Sequence, residues 1–566
     1  MNSLIQYYSY MRNRLSSILL WIFLAALPLP LSANTPDGKK DFEISKNFDI
    51  LHALYRELDQ YYVDSVKPEK ALKNAINGLM SSYDPYTNYM AETETDELKF
   101  LTTGEYGGVG AMIGQRGGKV VVLEPYEGLP AQKAGLMYGD ILVEIGGVKM
   151  NGDNMTKASE LLKGQPGTSV KVVYTREGLK KPVEKTILRE LVVINQVTWH
   201  GLVADKTGYI NLSGFTGKSS QEVRAALLDL KKMGAEKLII DLRGNGGGLL
   251  DEAVAICNLF VPKGQEIVNT RGKVHQWDKT YKTTREPVDT VMPLVVLVNS
   301  GSASSSEIVV GALQDLDRAV IMGSRSYGKG LVQTTRSIPY NGLLKITTAK
   351  YYIPSGRCIQ AIDYSNRNED GSVGRIPDSL THVFSTRAGR KVRDGGGIIP
   401  DIECKDERGS DITYDLMDSL YFFEFANQYY RKHEKIGPVA DFKISEADYA
   451  DFLAYVKSRG FTYVSPSKKI LEKLKEAMIK DNFTTSAKTE ISALQAKLDR
   501  SLDENFVTFR QEIELMLSTE IVSRYYFQAG ELQQSLKFDP CLKRSIEVLK
   551  DMDLYHKTLR PTPSTN

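Results

Sequence analysis

Cysteine and histidine are scarce in this sequence, and it has almost no net charge. Its 566 residues contain four cysteines and six histidines, and 72 Lys and Arg residues nearly balance 70 Asp and Glu residues. So few cysteines exclude a protein held together by disulfides, and their spacing matches no zinc motif. The balanced charge argues against nucleic acid as a partner, because nucleic-acid-binding proteins carry a basic surface. The length instead indicates roughly three to four globular domains, at about 150 residues each.

A short apolar run at residues 18–31 follows two arginines near the N-terminus, and small residues up to Ala33 follow the run. This order of positive charge, apolar run and small residue is typical of a secretory signal peptide. The alternative is an uncleaved membrane anchor, but the run is short for a membrane span and two prolines interrupt it. We therefore expect residues 1–33 to be a signal peptide, with Met11 as an alternative start. The protein is then exported to the periplasm or cell envelope, and it contacts a membrane only if this segment is uncleaved.

Four segments with different residue patterns follow the predicted signal peptide. Apolar residues recur at helical spacing in 34–103, and short β runs with many glycines occupy 104–190. Strands and helices alternate from about 191 to 355, which predicts a layered α/β core that we assign to 191–404. The charged segment 405–566 is predicted to be helical. It is long enough to provide a homo-oligomer interface or an adaptor site.

The predicted core contains apolar strands, helices and one polar loop region. The strands are expected at 208–212, 237–241, 294–299 and 319–322. The helices are expected at 221–233, 249–260 and 305–316. Residues 362–397 are rich in Gly, Asp, Asn, Arg and Ser, and we expect them to form loops.

Serines cluster where the strand at 294–299 passes into the helix at 305–316. A serine at such a turn is presented at the end of a sheet, where amides at the start of the helix can stabilise an oxyanion. The same residues also form a capping box, with Ser304 as the N-cap and Glu307 reaching back. The local sequence decides neither between these interpretations nor among the neighbouring serines.

A nucleophilic serine needs a base, and Lys329 is the candidate that lies in a recognisable motif. It occupies the glycine-flanked turn 323–330, and a Ser–Lys pair is an established variant of serine catalysis. The turn nearly matches a nucleotide-binding loop, but Gly330 replaces the Ser or Thr that would hold magnesium. A histidine base is the alternative, although all six histidines lie in segments without another catalytic signal. We therefore expect Lys329 to be the base, with a pKa lowered by burial.

A glycine-rich run at 244–248 follows the predicted strand 237–241. Glycines let the backbone approach a ligand closely and turn its amides inward. The run therefore favours half of an oxyanion hole, with a tight strand-to-helix turn as the alternative.

Together these segments resemble the carboxyl-terminal processing peptidases, also called tail-specific serine proteases, over most of residues 40–404. Each supporting motif is modest alone, but their order along the chain is highly specific. They are YYVD at 61–64, DPYTNY at 84–89, GLMYGDIL at 135–142, GYI at 208–210 and IPDI at 399–402. The resemblance implies a crotonase-like layered α/β protease core with an inserted PDZ domain.

The resemblance also implies a role for individual residues of the core. The nucleophile would be Ser304, its base would be Lys329, which stands 25 positions later, and Gln333 would orient the lysine. The amide of Ser305 would be one oxyanion donor.

The glycine run would supply the second oxyanion donor, from Gly246 or Gly247. Many family members carry proline at the position of Gly246, so this chain departs from the family there and its loop has more conformational freedom.

Residues 104–190 resemble a PDZ domain, a fold that binds the terminal carboxylate of a peptide with a glycine-rich loop. The candidate loop consists of Gly108, Val109, Gly110 and Ala111. An ordinary β-turn is the alternative interpretation of these four residues.

The sequence therefore predicts an exported serine endopeptidase that uses a Ser–Lys dyad and selects protein substrates by their C-terminal tails. No metal and no cofactor is implied. Two rivals remain, a non-catalytic PDZ scaffold that binds tails and an enzyme with a histidine base. Whether Cys358 and Cys404 form a disulfide is left open, because connectivity does not follow from sequence.

Overall fold

The structure is a computed structural model that describes residues 36–92, 100, 102–368, 370–404, 409–483 and 486–560. The expected signal peptide at 1–33 lies outside the described residues, so its export function stays a prediction. Among the residues that are described, no helix is both long and apolar enough to cross a membrane. The described chain separates between Leu79 and Met80 into two compact units.

The N-terminal region is helical at first, as its periodicity predicts. Helix α1 spans Pro36–Tyr61 and helix α2 spans Pro68–Ser81. Each begins with proline, whose fixed φ suits the first turn of a helix. The helical expectation for 34–103 is wrong at β1 (Asn88–Met90), a short strand that pairs antiparallel with Leu343–Lys345.

The segment predicted to be a PDZ domain forms a small β-rich fold around its own apolar core. Its elements are β2 (Glu105–Gly108), β3 (Ala111–Arg116), β4 (Lys119–Pro125), α3 (Pro130–Lys133), β5 (Ile141–Ile145), β6 (Val148–Lys149), α4 (Met155–Leu162), β7 (Ser169–Thr175), β8 (Val183–Leu188) and β9 (Glu190–Val193). The sheet order is β3-β4-β5-β7-β8, and β2 pairs with β9. Within the described chain, β3 is therefore an edge strand with a strand partner on one side only.

The α/β core is a six-stranded sheet with the order β10-β11-β12-β15-β16-β23. The strands are β10 (Val197–Ala204), β11 (Thr207–Leu212), β12 (Lys237–Asp241), β15 (Leu294–Val298), β16 (Val320–Gly323) and β23 (Ile402–Glu403). All neighbours after β11 run parallel. Parallel strands are buried on both faces, which explains why Leu294–Val298 is entirely apolar and entirely buried.

Helices cover both faces of this sheet. On one face lie α5 (Ser219–Lys232), α6 (Leu250–Cys257) and α7 (Ser305–Asp315), which share a core with Ile240 and Val296. On the other face lie α15 (Pro540–Lys550) and α16 (Met552–Leu559), which pack on the alternate side chains of the same strands. The helices near the C-terminus therefore complete the α/β core, a placement that local sequence patterns do not predict.

A second, antiparallel sheet was missed by the sequence analysis. It contains β1, β13 (Glu266–Gly272), β14 (Lys279–Lys282), β17 (Leu331–Ile338) and β18 (Gly342–Tyr352). Its strands mix polar and apolar residues because much of the sheet is only partly buried, so they carry no continuous apolar run.

The loop expectation for 362–397 is wrong in part. Two small antiparallel pairs occur there, β19 (Ile362–Arg367) with β20 (Val373–Arg375) and β21 (Val383–Ser385) with β22 (Lys391–Arg393). Such short pairs carry too few residues for a periodic signal in the sequence.

The remaining helices lie between the α/β core and α15 along the chain, and five of them share a core rich in aromatic side chains. They are α8 (Asp411–Asp418), α9 (Tyr421–Lys432), α10 (Glu446–Ser458), α11 (Pro466–Lys480), α12 (Lys488–Leu498), α13 (Leu502–Thr508) and α14 (Arg510–Leu536). Phe422, Phe452 and Phe506 lie in its centre, and Phe422 stacks on Phe452. Helix α14 is interrupted at Phe527, where φ is 52°.

Candidate active site

Ser304 lies in the turn between β15 and α7 with a strained backbone, at φ 57° and ψ −114°. A residue with a Cβ rarely adopts a positive φ, and such strain is characteristic of nucleophile turns. The hydroxyls of its neighbours are engaged: Ser302, Ser305 and Ser306 donate to the backbone carbonyls of Leu242, Gly248 and Asn245 at 2.7, 2.9 and 2.9 Å. Among the described residues, no carbonyl accepts from the Ser304 hydroxyl. The structure thus distinguishes serines that the sequence left equivalent.

The Glu307 carboxylate joins the serine turn to the lysine turn. It accepts hydrogen bonds from the Ser304 amide (2.9 Å), the Ser326 hydroxyl (2.5 Å), the Gly328 amide (2.7 Å) and the Lys329 amide (2.8 Å). Burial raises the pKa of Glu307, whereas these hydrogen bonds oppose the rise. The cap that the sequence suggested is therefore also an anchor that holds two loops together.

Lys329 is partly buried, and its surroundings disfavour the charged ammonium form. Burial, followed by the like charge of Lys345, lowers the pKa of Lys329 to about 8, although Asp84 and Glu307 oppose this change. Its Nζ atom lies 4.1 Å from the centre of the Tyr86 ring. No carboxylate among the described residues forms an ion pair with it. A lysine with such a pKa is partly neutral at neutral pH and can accept a proton.

The turn that holds Tyr86 belongs to the DPYTNY motif at 84–89, which contributes to the family resemblance. The Asp84 carboxylate fixes this turn by accepting from the amides of Tyr86 and Thr87, both at 2.8 Å, and from the Thr87 hydroxyl at 2.9 Å. The Tyr86 ring then packs edge-on against Tyr364. The local sequence could not reveal its contact with Lys329, because the two residues lie far apart along the chain.

The glycine run lies beside Ser304. A Cβ built on Gly247 would stand 2.7 Å from the Ser304 Cβ and 2.9 Å from the Ser305 nitrogen, so the approach requires glycine. Gly247 also has φ 98°. Its amide donates to the Asn245 side-chain oxygen at 2.9 Å, whereas the Gly246 amide has no protein acceptor in the described chain.

Gln333 occupies β17 and faces the same cavity. Its side-chain amide donates to the Thr347 hydroxyl at 3.2 Å, on the neighbouring strand β18. A hydrogen bond from Gln333 to Lys329 is not present among the described contacts, so the orienting role suggested by the resemblance stays a prediction.

The predicted catalytic residues meet in one cavity of about 520 Å³. Its wall includes Ser304, Ser305, Lys329, Gln333, Gly246 and Gly247, together with apolar side chains such as Leu250 and Ile308. A site that is concave, partly apolar and equipped with a titratable pair has the properties of an enzyme active site. The alternative base is disfavoured, because none of the five histidines after residue 80 lines this cavity.

The PDZ loop lies apart from this cavity. Gly108 ends β2, the Val109 side chain is buried in the PDZ core, and Ala111 begins the edge strand β3. Gly110 has φ 72°, and its carbonyl accepts from the Tyr126 amide at 3.0 Å. The loop thus leads directly into a strand whose outer edge is free to pair.

No group of three or more His, Cys, Asp or Glu side chains in the described ranges is arranged to hold a metal ion.

Three family models match separate parts of the chain. "Peptidase family S41" matches residues 206–365, "PDZ domain" matches 121–176, and "Probable PDZ-protease, C-terminal helical domain" matches 412–549. The chain therefore combines a mixed α/β peptidase core, a PDZ domain and a helical C-terminal region, as the sequence predicts.

Among curated proteins, a carboxy-terminal-processing protease of Bartonella bacilliformis is 37% identical over 313 residues, which cover 55% of this chain and 71% of that protein. The carboxy-terminal processing protease CtpA of Bacillus subtilis is 31% identical over 334 residues, covering 58% and 68% respectively. A solved photosystem II D1 C-terminal processing protease is 28% identical and covers 62% of this chain and 86% of its own, at a TM-score of 0.35.

Proposed function

We propose that this chain, which belongs to the carboxy-terminal processing proteases of peptidase family S41, is an exported serine endopeptidase. Its catalytic dyad would be Ser304 and Lys329. The observation that carries the proposal is the meeting, in one cavity, of a strained serine and a lysine with a lowered pKa. A non-catalytic scaffold has no need of this arrangement.

In the proposed reaction, Ser304 attacks the carbonyl carbon of the scissile peptide bond while neutral Lys329 takes the hydroxyl proton. The resulting ammonium is stabilised by the face of the Tyr86 ring. Lys329 then gives the proton to the leaving amine, and a water molecule hydrolyses the acyl-enzyme by the same route in reverse. Gln333 lies on the wall of the cavity, where it helps to orient the lysine.

The oxyanion of each tetrahedral intermediate is held by the amide of Ser305, at the start of α7, and by an amide of the glycine run. The Gly246 amide has no protein acceptor in the described chain, and Gly247 is the glycine at which a Cβ would contact Ser304. A Gly246→Pro variant separates the two, because proline has no N–H. The Gly246 backbone lies outside the positive-φ region, and a Cβ there meets nothing within 4 Å. Retained activity would assign the donor to Gly247, and a loss of about a hundredfold would assign it to Gly246.

The decisive experiment measures cleavage of an unfolded protein with an apolar C-terminal tail. Ser304→Ala should abolish cleavage and labelling by a fluorophosphonate probe, at a cost of about 1 kcal/mol for the lost helix cap. The matched control is Ser300→Ala, because Ser300 is exposed in the same turn. Activity that survives in Ser304→Ala would refute the assignment, and binding without cleavage by the wild type would favour the scaffold.

We further propose that the PDZ domain selects substrates by their C-terminal tails. The tail would add as a strand to the free edge of β3, with its carboxylate at the Gly108–Ala111 loop. Each charge-assisted hydrogen bond there contributes roughly 1.5 to 3 kcal/mol, so amidation of a tail should weaken binding about ten- to a hundredfold.

A variant pair tests the loop itself. Gly110→Val should abolish the preference for a free tail, because a Cβ at Gly110 would lie 2.6 Å from the Leu129 Cβ. Gly117→Asn is the control: it lies in the turn after β3, where a Cβ meets nothing and φ is also positive. Equal rates on free and amidated tails with the wild type would show that the domain does not read the terminus.

A further inference from the structure

Two cysteines from distant parts of the chain meet at the edge of the catalytic sheet. Cys404 directly follows β23, and its amide donates to the Gly323 carbonyl at the end of β16 at 2.9 Å. Cys541 lies in the first turn of α15, with 2% of its surface exposed. The same helix is placed over β16 by Ser545, whose hydroxyl lies 3.5 Å from the Met322 sulfur. Both cysteines pack in one apolar cluster.

Both cysteines are free thiols in the structure, and the Cys404 side chain packs against the apolar cluster that contains Cys541. Contact with Cys541 lowers the pKa of Cys404, and contact with Cys404, together with burial, raises the pKa of Cys541. The other two cysteines have different surroundings, because Cys257 is fully buried in the core cluster under α6 and Cys358 lines a separate cavity. The pairing that the sequence left open, between Cys358 and Cys404, is therefore not the one that the structure favours.

The residues around this pair lead to the glycine run. Asp539 caps α15 by accepting from the Leu542 amide at 2.9 Å, and its other oxygen binds the Arg243 guanidinium. Arg243 also binds Asp241, at the end of β12, and directly precedes the run at 244–248. The start of α15 is thus connected by a short ionic network to the loop that borders Ser304.

We propose that Cys404 and Cys541 form a disulfide that ties the C-terminal helices covalently to the catalytic core. The bond would close a loop of well over a hundred residues, and loops of that length gain strongly from a crosslink. It would also hold the Asp539–Arg243 contact in place. The proposal rests on the predicted export, because disulfides persist in oxidising compartments, and it does not depend on peptidase activity.

The chemistry requires an oxidant, which we take to be a disulfide-bearing oxidoreductase or a small-molecule disulfide. The partly exposed Cys404 thiolate attacks one sulfur of that disulfide, forms a mixed disulfide and releases the first thiolate of the oxidant. The Cys541 thiolate then attacks the Cys404 sulfur and releases the second. The two cysteines lose two protons and two electrons, and the oxidant is reduced to two thiols.

Mass spectrometry tests the bond on the full-length protein. The protein is incubated with oxidised glutathione, denatured, treated with maleimide and digested without reductant. We expect a peptide that links Cys404 to Cys541, with maleimide on Cys257 and Cys358. Maleimide on all four cysteines, or a peptide that links Cys404 to Cys358, would overturn the proposal.

Thermal unfolding tests the tether with a readout that is separate from peptide cleavage. Reductant should lower the Tm of the oxidised wild type by about 5 °C. Cys404→Ser and Cys541→Ser should unfold near the reduced value with or without reductant, and Cys358→Ser should behave like the wild type. A linked peptide combined with a Tm that does not respond to reductant would overturn the tether. Loss of cleavage in Ser304→Ala leaves this test unaffected, so the two proposals fail independently.

Discussion

Ionisable groups are buried both around Ser304 and at the contact between the PDZ domain and α14. The hydrogen-bond and charge partners of these groups differ between the two regions. Beside the cavity, Glu307 accepts four hydrogen bonds, whereas the Lys329 ammonium lies over the Tyr86 ring and forms no ion pair within the described residues. At the PDZ contact, Glu124 on β4 accepts from the Gln528 side chain at 2.9 Å and lies near the charge of Arg524.

At the PDZ contact, the charged Arg524 is contacted by residues of the PDZ domain and of the helical region. Arg524 lies over the ring of Tyr138, 4.4 Å from its centre, and donates to Asn427 at 2.8 Å. The Tyr138 hydroxyl donates to the Ser523 carbonyl at 3.0 Å. This network joins the PDZ domain to the helical region, and it also contains Glu531, whose pKa is raised to about 7 by burial and by the charges of Glu520 and Glu124.

The difference shows that burial alone does not make a residue reactive. Burial raises the pKa of both Glu307 and Glu124, and partners in each case oppose the change. Both carboxyls keep a raised pKa in spite of these hydrogen bonds. Lys329 has no such hydrogen bond from its ammonium in the described chain, and its pKa is lowered to about 8, which makes it partly neutral near neutral pH. Substitutions that change these partners should therefore change the pKa and the reactivity of the buried group.

The largest effect is expected from Lys329→Arg. Arginine stays charged, so the variant keeps the cation but loses the base, and kcat/KM should fall by about a hundred- to ten-thousandfold. Lys345→Arg is the control, since it keeps the charge of a second lysine that lines the cavity. Peptide cleavage at pH 8 checks both, and near-normal activity in Lys329→Arg would exclude a lysine base.

Glu307→Gln should have the next largest effect. Its amide group would turn two N–H donors toward backbone amides that now donate to a carboxylate, which should cost about 2 kcal/mol of unfolding free energy. Because Ser304 and Lys329 would lose their common anchor, kcat should fall roughly tenfold or more while KM changes little. Urea unfolding and steady-state kinetics measure the two quantities. A stable variant with unchanged kcat would show that Glu307 is only a helix cap.

The pH profile of cleavage should show how Lys345 acts on Lys329. Only neutral Lys329 accepts a proton, so kcat/KM should rise with pH through a limb near 8. Lys345→Gln removes a like charge, which should raise the pKa of Lys329 and move this limb to higher pH by less than about one unit. A limb near pH 6 to 7 in the wild type would point to a histidine instead.

The smallest effect is expected at the PDZ contact, from Glu124→Gln. The pKa of Glu124 is higher in the folded protein than in the unfolded chain, so the carboxylate costs nothing at low pH and destabilises the fold as pH rises. Glutamine removes that cost, and the variant should be more stable than the wild type at pH 8 by up to about 1 kcal/mol, with no difference near pH 3. Glu177→Gln is the control, because Glu177 pairs with Arg431 at an exposed rim of the same contact. Equal stability at pH 8 would contradict the comparison.

Several elements were predictable because their signals are local. The strands expected at 237–241 and 294–299 contain short, continuous apolar runs, and the structure places them at Lys237–Asp241 and Leu294–Val298. The second sheet was not predictable in this way, because β17 and β18 are only partly buried and carry polar residues throughout.

The candidate site also combines features that the local sequence predicts with features that it does not predict. A serine turn, a glycine run and a glycine-flanked lysine were each visible as short motifs, but the local sequence did not choose among the serines. The structure separates them by the hydrogen bonds of their hydroxyls, which run to carbonyls about 60 residues away.

The sequence by itself determined the family, the order of its regions and the short motifs from which a nucleophile and a base are proposed, because these depend on residues that are close along the chain. Only the tertiary structure decided that Glu307 anchors both loops, that the Tyr86 ring lies over Lys329 and that Cys404 and Cys541 pack in one apolar cluster. Each of these contacts joins residues that are distant in sequence. Their energies depend on burial and on partners that only the folded chain brings together.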